Sequence, residues 1–435
     1  MKRKPMKRKL TVGIVALVAT AALVGCSAGG GTTQPSGSGS DNSKVTGTLK
    51  VIDPWFTAND AGAKGFQAVV DDFHKTYPNV DVTRDQATFG NLAQKMTTAV
   101  ITGQNYDVVM SGFAWIPPLA SLGAIQNLEK LGFDTKTVTK ELGKGADTLL
   151  APSLYQGALY GIPLTASGVT LVYSKSAFEK AGLDPTKPPT TLAEIKSDAE
   201  KLTVKDASGN ITQEGFAFGE TPGNYRQPFV GFLGAMGQKL YENGGTTPNF
   251  ATSTGASILD WMTSLQGDTS IYGQADPSNV NAVILGKAGM GLSYSYANCA
   301  TIGQAKCDDL VFAPIQDKSK AMFVGGAIAS VGAGTKLEGP AVAFIKALRQ
   351  ESSLETIATL QNESPLSDSA AASKFAESNP GGKFFINNLD IAVFEGGPTN
   401  WLKLRTAFGP AIDSVLLKKS SAKDALSTVL TAASQ

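Results

Sequence analysis

Histidine occurs once in 435 residues, at His74, and that scarcity narrows the chemistry available. No zinc site needing two histidines can form, no HExxH is present, and any Ser-His-Asp triad would have to use this residue. His74 lies near a helix end before Pro78, a surface or capping position rather than a catalytic one. The chain also lacks a GxSxG elbow, a GxxxxGK[ST] loop and a GxGxxG after a strand. Charged residues make up only 17%, and the formal net charge is +1. Six of the 38 Lys and Arg fall in residues 1–25, which hold no acid. The remainder therefore carries 32 bases against 37 acids, a net of −5. A mildly acidic body has no basic face for nucleic acid, so no such partner is expected.

What the chain does have is apolar material, 42% hydrophobic residues, and enough length to split into two domains or lobes. Residues 1–9 are a basic run, and residues 10–25 are mostly apolar. Sixteen residues span about 24 Å as a helix, short of a ~30 Å hydrocarbon core, so an export signal fits better than a membrane span. Leu23-Val24-Gly25-Cys26-Ser27 is similar to the bacterial lipobox, in which Cys26 becomes the lipidated first residue. An ordinary secretory signal or an uncleaved anchor are the alternatives. Residues 27–43 are nearly all Gly, Ser, Thr, Asn, Gln and Pro, and read as a flexible tether. Cys299 and Cys307, in an oxidising compartment, read as a local disulfide, with two free buried thiols as the alternative. No further Cys or His is at hand to complete a metal site there.

Periodicity predicts strands over residues 48–54, 80–83 and 106–110, separated by helices over 64–77 and 92–102. The first helix places Phe66, Val69, Val70 and Phe73 on one face. This spacing predicts right-handed βαβ units on a parallel sheet. Further strands are expected over 168–173, 289–294, 310–313 and 324–331, with a hairpin over 205–218. Helices are expected over 177–181, within 188–202, over 254–265, and in the tail over 339–350, 353–361, 367–378, 401–417 and 422–433. Asp206-Ala207-Ser208-Gly209-Asn210 is similar to a calcium loop, but Ala217 stands where the twelfth-position Glu is needed, so a turn is the better reading. Asp71-Asp72 and Asp308-Asp309 read as solvated charge.

Four collinear stretches resemble the extracellular solute-binding lipoproteins of ABC sugar importers, the family that includes maltodextrin-binding proteins. FHKTYPNVDV (73–82) is similar to F-x-K-x-x-P-x-V-x-V. AVITGQNYDVVM (99–110) is similar to A-x-x-x-G-x-x-P-D-V, with Tyr106 in place of Pro. The block from Tyr160 to Ile195 follows Y-G-I-P, L-x-Y-N-K, F-x-x-A-G-L and P-x-T-x-x-E in order. GKAGMGLS (286–293) is similar to G-K-A-A-M, and Gly325-Gly326 to a later glycine pair. The resemblance implies an α/β, two-lobed periplasmic-binding-protein-like fold with a ligand cleft between lobes. It implies crossing segments near residues 162–168, 322–325 and 362–366, with Pro163 and Gly168 suited to a hinge. One lobe would comprise residues 44–163 and 325–362, the other 164–322 and 366–435.

Ligands of open α/β sheets bind beyond the carboxyl ends of strands, and aromatics follow several of those ends here. The expected ligand-binding set is Trp55, Phe56, Asn59, Asp60, Ser111, Phe113, Trp115, Tyr225, Arg226, Tyr294, Tyr296, Glu395 and Trp401, with Asn224, Gln227 and Asn298 as further polar candidates. Aromatic faces pack against sugar C–H groups, polar groups take the hydroxyls, and Arg226 suits paired bonds. Trp261 is expected in the core. Tyr294-Ser295-Tyr296 departs from the Gly-Trp common in sugar binders at that point. The expected function is capture of a sugar or oligosaccharide by lobe closure and delivery to ABC permease subunits, without catalysis or cofactor. The protein would be a monomer on the extracellular face, touching the membrane through its lipid alone. Capture of a polyamine or peptide, or a secreted carbohydrate-active enzyme, are the alternatives.

Overall fold

The computed structural model describes residues 41–274, 281–294, 298–361 and 363–434. The export signal, Cys26 and nearly all of the tether lie outside the described residues, as do Tyr296 and Asn362. Among the described residues no helix is long and apolar enough to cross a membrane.

The chain opens as its pattern predicts. Strand β1 (Gly47–Asp53) is followed by helix α1 (Asp60–His74), β2 (Val80–Gln86), α2 (Leu92–Thr102) and β3 (Val108–Gly112). Both neighbours of β1 run parallel to it, Gly47 facing Val80 and Val51 facing Val108. Helix α1 buries Phe66, Val69, Val70 and Phe73, the stripe a period of 3.6 places on one side. Asn59 caps it by accepting from the Gly62 amide at 2.9 Å. At its other end the His74 ring meets the Val80 carbonyl at 3.0 Å, a structural contact.

The centre of the sheet departs from the parallel expectation. Two long strands, β4 (Ile162–Ser174) and the later Lys320–Val331, pair antiparallel, with Phe323 facing Val169 and Ala329 facing Ile162. Short apolar runs of β-branched residues do not announce strand direction, which connectivity and packing decide. All of β4 is buried, as a strand covered on both faces must be. The register slips between Ala327 and Ile328, opposite Pro163. Proline has no N–H for a ladder and is tolerated at such an irregularity. Gly168 is fixed by crowding: a Cβ there would meet the Met322 side chain.

Beyond β4 come β5 (Ile211–Ala217) and β6 (Ala288–Tyr294). They run parallel to each other, while β6 is antiparallel to β4. Strand β7 (Leu310–Ala313) also pairs with β4, and Lys320–Val331 is β8. The order β2-β1-β3-β8-β4-β6-β5 is thus one sheet. The expected crossings at 162–168 and 322–325 fall within β4 and β8. The third region reaches β4 through Ser364 and Pro365, opposite Ala166 and Thr165.

The hairpin forms through Val204–Lys205 and β5, and Asp206 holds its turn by accepting from the Ser208 and Asn210 amides, as a turn rather than a metal loop. Helix Ser253–Leu265 carries Trp261, whose ring packs edge-on against Phe232. A helix over Arg226–Ala235 escaped the periodicity reading, because it is buried almost all round and contains two glycines. A further helix, Pro380–Asn387, was also missed, and the tail helices shift by one to three residues. Cys299 and Cys307 are joined in a disulfide with Cα atoms 5.5 Å apart. The pair Asp308-Asp309 is not merely solvated: Asp309 accepts from the Ser176 amide at 2.8 Å.

Candidate functional site

A cavity of about 760 Å³ opens where the carboxyl ends of β1, β2, β3, β5 and β6 converge over the crossing strands β4 and β8. Its first wall is aromatic. Asp53, fully buried at the end of β1, accepts from the Trp55 amide at 2.6 Å and the Phe56 amide at 3.2 Å and pairs with Arg84 at 2.8 Å. This turn throws Trp55 over the cavity and Phe56 into the core. The Trp55 indole donates to the Ser111 carbonyl at 2.8 Å, so its N–H is spent on the protein. Phe89, after β2, meets Trp55 edge-on at 5.1 Å and Trp115 at 5.9 Å. Arg405 lies 5.6 Å over the Trp115 ring and donates to the Phe89 carbonyl at 3.1 Å.

The floor is made by Ser167 and Val169 of β4 and Phe323–Gly326 of β8. Gly326 has no room for a side chain: a Cβ would strike the Thr165 carbonyl and lie 2.7 Å from the Phe113 ring. The opposite wall comes from Phe218–Thr221 after β5, from Leu292–Tyr294 at the end of β6, and from Asn298, Thr301 and Ile302 beside the disulfide.

Charge is concentrated in the interior. Arg226 pairs with Glu395, both nearly buried, and donates to Asn224 Oδ1 at 3.0 Å. Glu363 accepts from the Thr165 and Ser167 hydroxyls. Burial pushes the carboxyls of Glu220 and Glu363 up to about 8, Arg226 partly offsetting this for Glu220 and the two hydroxyls for Glu363. Burial brings Arg405 down to about 10, with Arg226 adding to the effect. The Tyr294 phenol is held well above its ordinary range by burial and next by Glu220. Buried groups of this kind offer hydrogen-bond donors, acceptors and charge to a polar ligand.

The cavity brings together Trp55, Phe113, Trp115, Arg226, Tyr294 and Glu395 of the expected set, together with Asn224, Gln227 and Asn298. Tyr296 lies outside the described residues, and the remaining members of the set do not line the cavity. Phe56 packs edge-on to Phe66 at 5.6 Å, Asn59 caps α1, and Asp60 begins that helix in solvent. Ser111 is fully buried and contributes its carbonyl to Trp55. The Tyr225 hydroxyl accepts from the Gly273 amide at 2.7 Å, and its ring stacks on Tyr272. Trp401, expected on a cleft wall, is 1% exposed at the start of helix α3 (Trp401–Leu416), between Tyr241 and Phe408. An aromatic at a helix entrance is drawn under the helices that flank it as readily as into a cleft.

Sequence reasoning missed Phe89, Glu220, Gln361, Glu363 and Arg405. The strand-end rule that picked Trp55 applies equally to Phe89 after β2 and Glu220 after β5. Glu363 sits in a crossing segment already marked. Arg405 had no such signal, because only the placement of α3 turns that position toward Trp115.

Comparison with known proteins agrees with this architecture. A Brucella abortus (strain 2308) protein is 31% identical over 137 residues, 32% of each chain, so this chain matches about a third of that relative's length. The diacetylchitobiose binding protein DasA of Streptomyces coelicolor is 24% identical over 269 residues, 59% of this chain and 60% of its own. Among solved structures, the GacH receptor of Streptomyces glaucescens, known with acarbose, superposes with a TM-score of 0.70 at 22% identity, over 89% of this chain and 98% of its own. MalE of Bdellovibrio bacteriovorus, bound to maltotriose, gives 0.71 at 19%, over 89% and 99%. These likenesses establish the two-lobed α/β fold. Residues 58–353 match the bacterial extracellular solute-binding protein family, and the chain belongs to that family.

Proposed function

We propose that the protein captures a sugar or short oligosaccharide outside the cell by closing two lobes over it, and hands it to the permease of an ABC importer. The observation that carries this reading is the cavity itself. It sets the faces of Trp55, Trp115 and Tyr294 beside hydrogen-bonding groups from Arg226, Glu395, Asn224 and Asn298. A sugar ring needs this mixture, apolar faces for its C–H patches and polar groups for its hydroxyls. The lobes would comprise residues 44–163 with 325–362 and 164–322 with 366–435, hinged on β4, β8 and the segment at 364–366. Cys26 would carry the lipid and residues 27–43 the tether. The role is capture rather than catalysis, which accords with relatives that are binding proteins.

Titration calorimetry against a panel of neutral mono- and oligosaccharides tests the reading, with product analysis of each mixture. Saturable binding without product, and a smaller radius of gyration in scattering when ligand is bound, are the expected results. Absence of binding across the panel, or turnover of any member, would overturn it.

A further inference from the structure

Five charged side chains line the cavity among the described residues: Glu220, Glu363, Glu395, Arg226 and Arg405. Arg226 and Glu395 form an ion pair with each other. Arg405 is engaged by the Phe89 carbonyl and the Trp115 ring. Among the described residues, Glu363 accepts from the hydroxyls of Thr165 and Ser167 and pairs with no cation. Glu220 is 7% exposed and forms no hydrogen bond among the described residues, although it lies in the field of Arg226. Tyr294 lines the same cavity, and its phenol feels the charges of Glu220, Glu395 and Glu363 as well as Arg226.

Without ligand the buried Glu220 carboxyl keeps its proton, and it ionises only where something supplies both hydrogen bonds and opposite charge. A neutral sugar hydroxyl supplies one hydrogen bond and no charge. An ammonium group supplies three donors and the missing positive charge together. Resting on the sugar-capture reading above, we propose that the ligand carries a protonated amine, an amino sugar or amino-substituted oligosaccharide, and that Glu220, in the cavity wall that also holds Glu363, receives that amine.

The test is calorimetric titration at pH 7.5 with three oligosaccharide series matched in length and linkage, built from glucose, N-acetylglucosamine and glucosamine. The free-amine series is expected to bind at least about tenfold tighter than the glucose series, with N-acetylation removing the gain. In Glu220→Gln, which keeps the side chain's shape, the amine-to-neutral ratio should fall to within about twofold. Glu363→Gln is expected to lower the same ratio to a smaller extent. Wild-type protein that binds glucose or N-acetylglucosamine oligomers as well as their free-amine counterparts overturns the proposal and leaves sugar capture standing. A ratio unchanged in Glu220→Gln overturns the assignment of that residue. Failure of all three series to bind overturns the sugar reading and this proposal with it.

Discussion

Arg349 Nη1 donates to the carbonyl oxygen of Pro163 at 3.0 Å. The same nitrogen donates to the Leu366 carbonyl, and Nη2 lies 3.6 Å from Glu141. One guanidinium thus ties the entrance of β4 to the chain segment at 364–366, two of the passages expected to bend when the lobes close. The guanidinium spreads its donors so that Nη1 serves the two carbonyls while Nη2 faces the Glu141 carboxylate, a reach the compact ammonium of lysine does not match.

Arg349→Ala should lower stability by about 3 kcal/mol, because hydrogen bonds from a charged, largely buried group are lost and two carbonyls lose their donor. Arg349→Lys should restore less than half of that loss. Urea denaturation midpoints at constant slope provide the measurement, and full recovery by lysine would refute the bridging role.

The two tryptophans separate binding from folding. Trp55→Ala should weaken ligand binding by about 2 kcal/mol, near thirtyfold in Kd, since an apolar cavity face is removed. Trp401→Ala should lower stability by about 3–5 kcal/mol through the hole left between Tyr241 and Phe408, with Kd changed less than about threefold. A Trp401→Ala protein that stays as stable as wild type but binds weakly would reverse the assignment.

Stability without ligand should fall as the solution becomes more alkaline. Glu220 and Glu363 keep their protons in the folded chain up to about pH 8, whereas the unfolded chain releases them near 4.5. Between those values the folded state binds more protons, so the stability contributed by the two carboxyls declines with rising pH. Melting temperatures across pH 5–9 should show this slope, and Glu220→Gln should flatten it. An identical slope in the variant would show that Glu220 does not titrate as its burial requires.

Opening the disulfide should affect both folding and binding. Cys299 and Cys307 close a short loop that begins beside Asn298 and includes Thr301 and Ile302, three residues of the cavity wall. Replacing both by Ala should cost about 2–3 kcal/mol of stability, and should weaken ligand affinity by loosening that wall. Thiol counting on denatured, unreduced protein should find neither cysteine free; two free thiols would refute the bridge.

Local patterns decided much of this molecule before any packing is considered. The stripe of Phe66, Val69, Val70 and Phe73 fixes α1 whatever lies against it, since a period of 3.6 puts those residues on one side. The strand ends that carry Trp55, Phe113, Trp115 and Tyr294 are equally legible, because alternation and turn residues are local. Tertiary structure decided what locality cannot. The antiparallel union of β4 and β8 joins residues some 160 positions apart, as Phe323 facing Val169 shows, and no short-range pattern encodes that pairing. The fates of neighbouring aromatics were settled in the same way. Trp55 lines the cavity and Phe56 the core because buried Asp53 holds both amides. Trp401 is buried beneath Tyr241 and Phe408 because α3 packs there. The acids Glu220 and Glu363 gain their unusual proton affinity only when folding removes water from around them, a property of the assembled interior and of no segment alone.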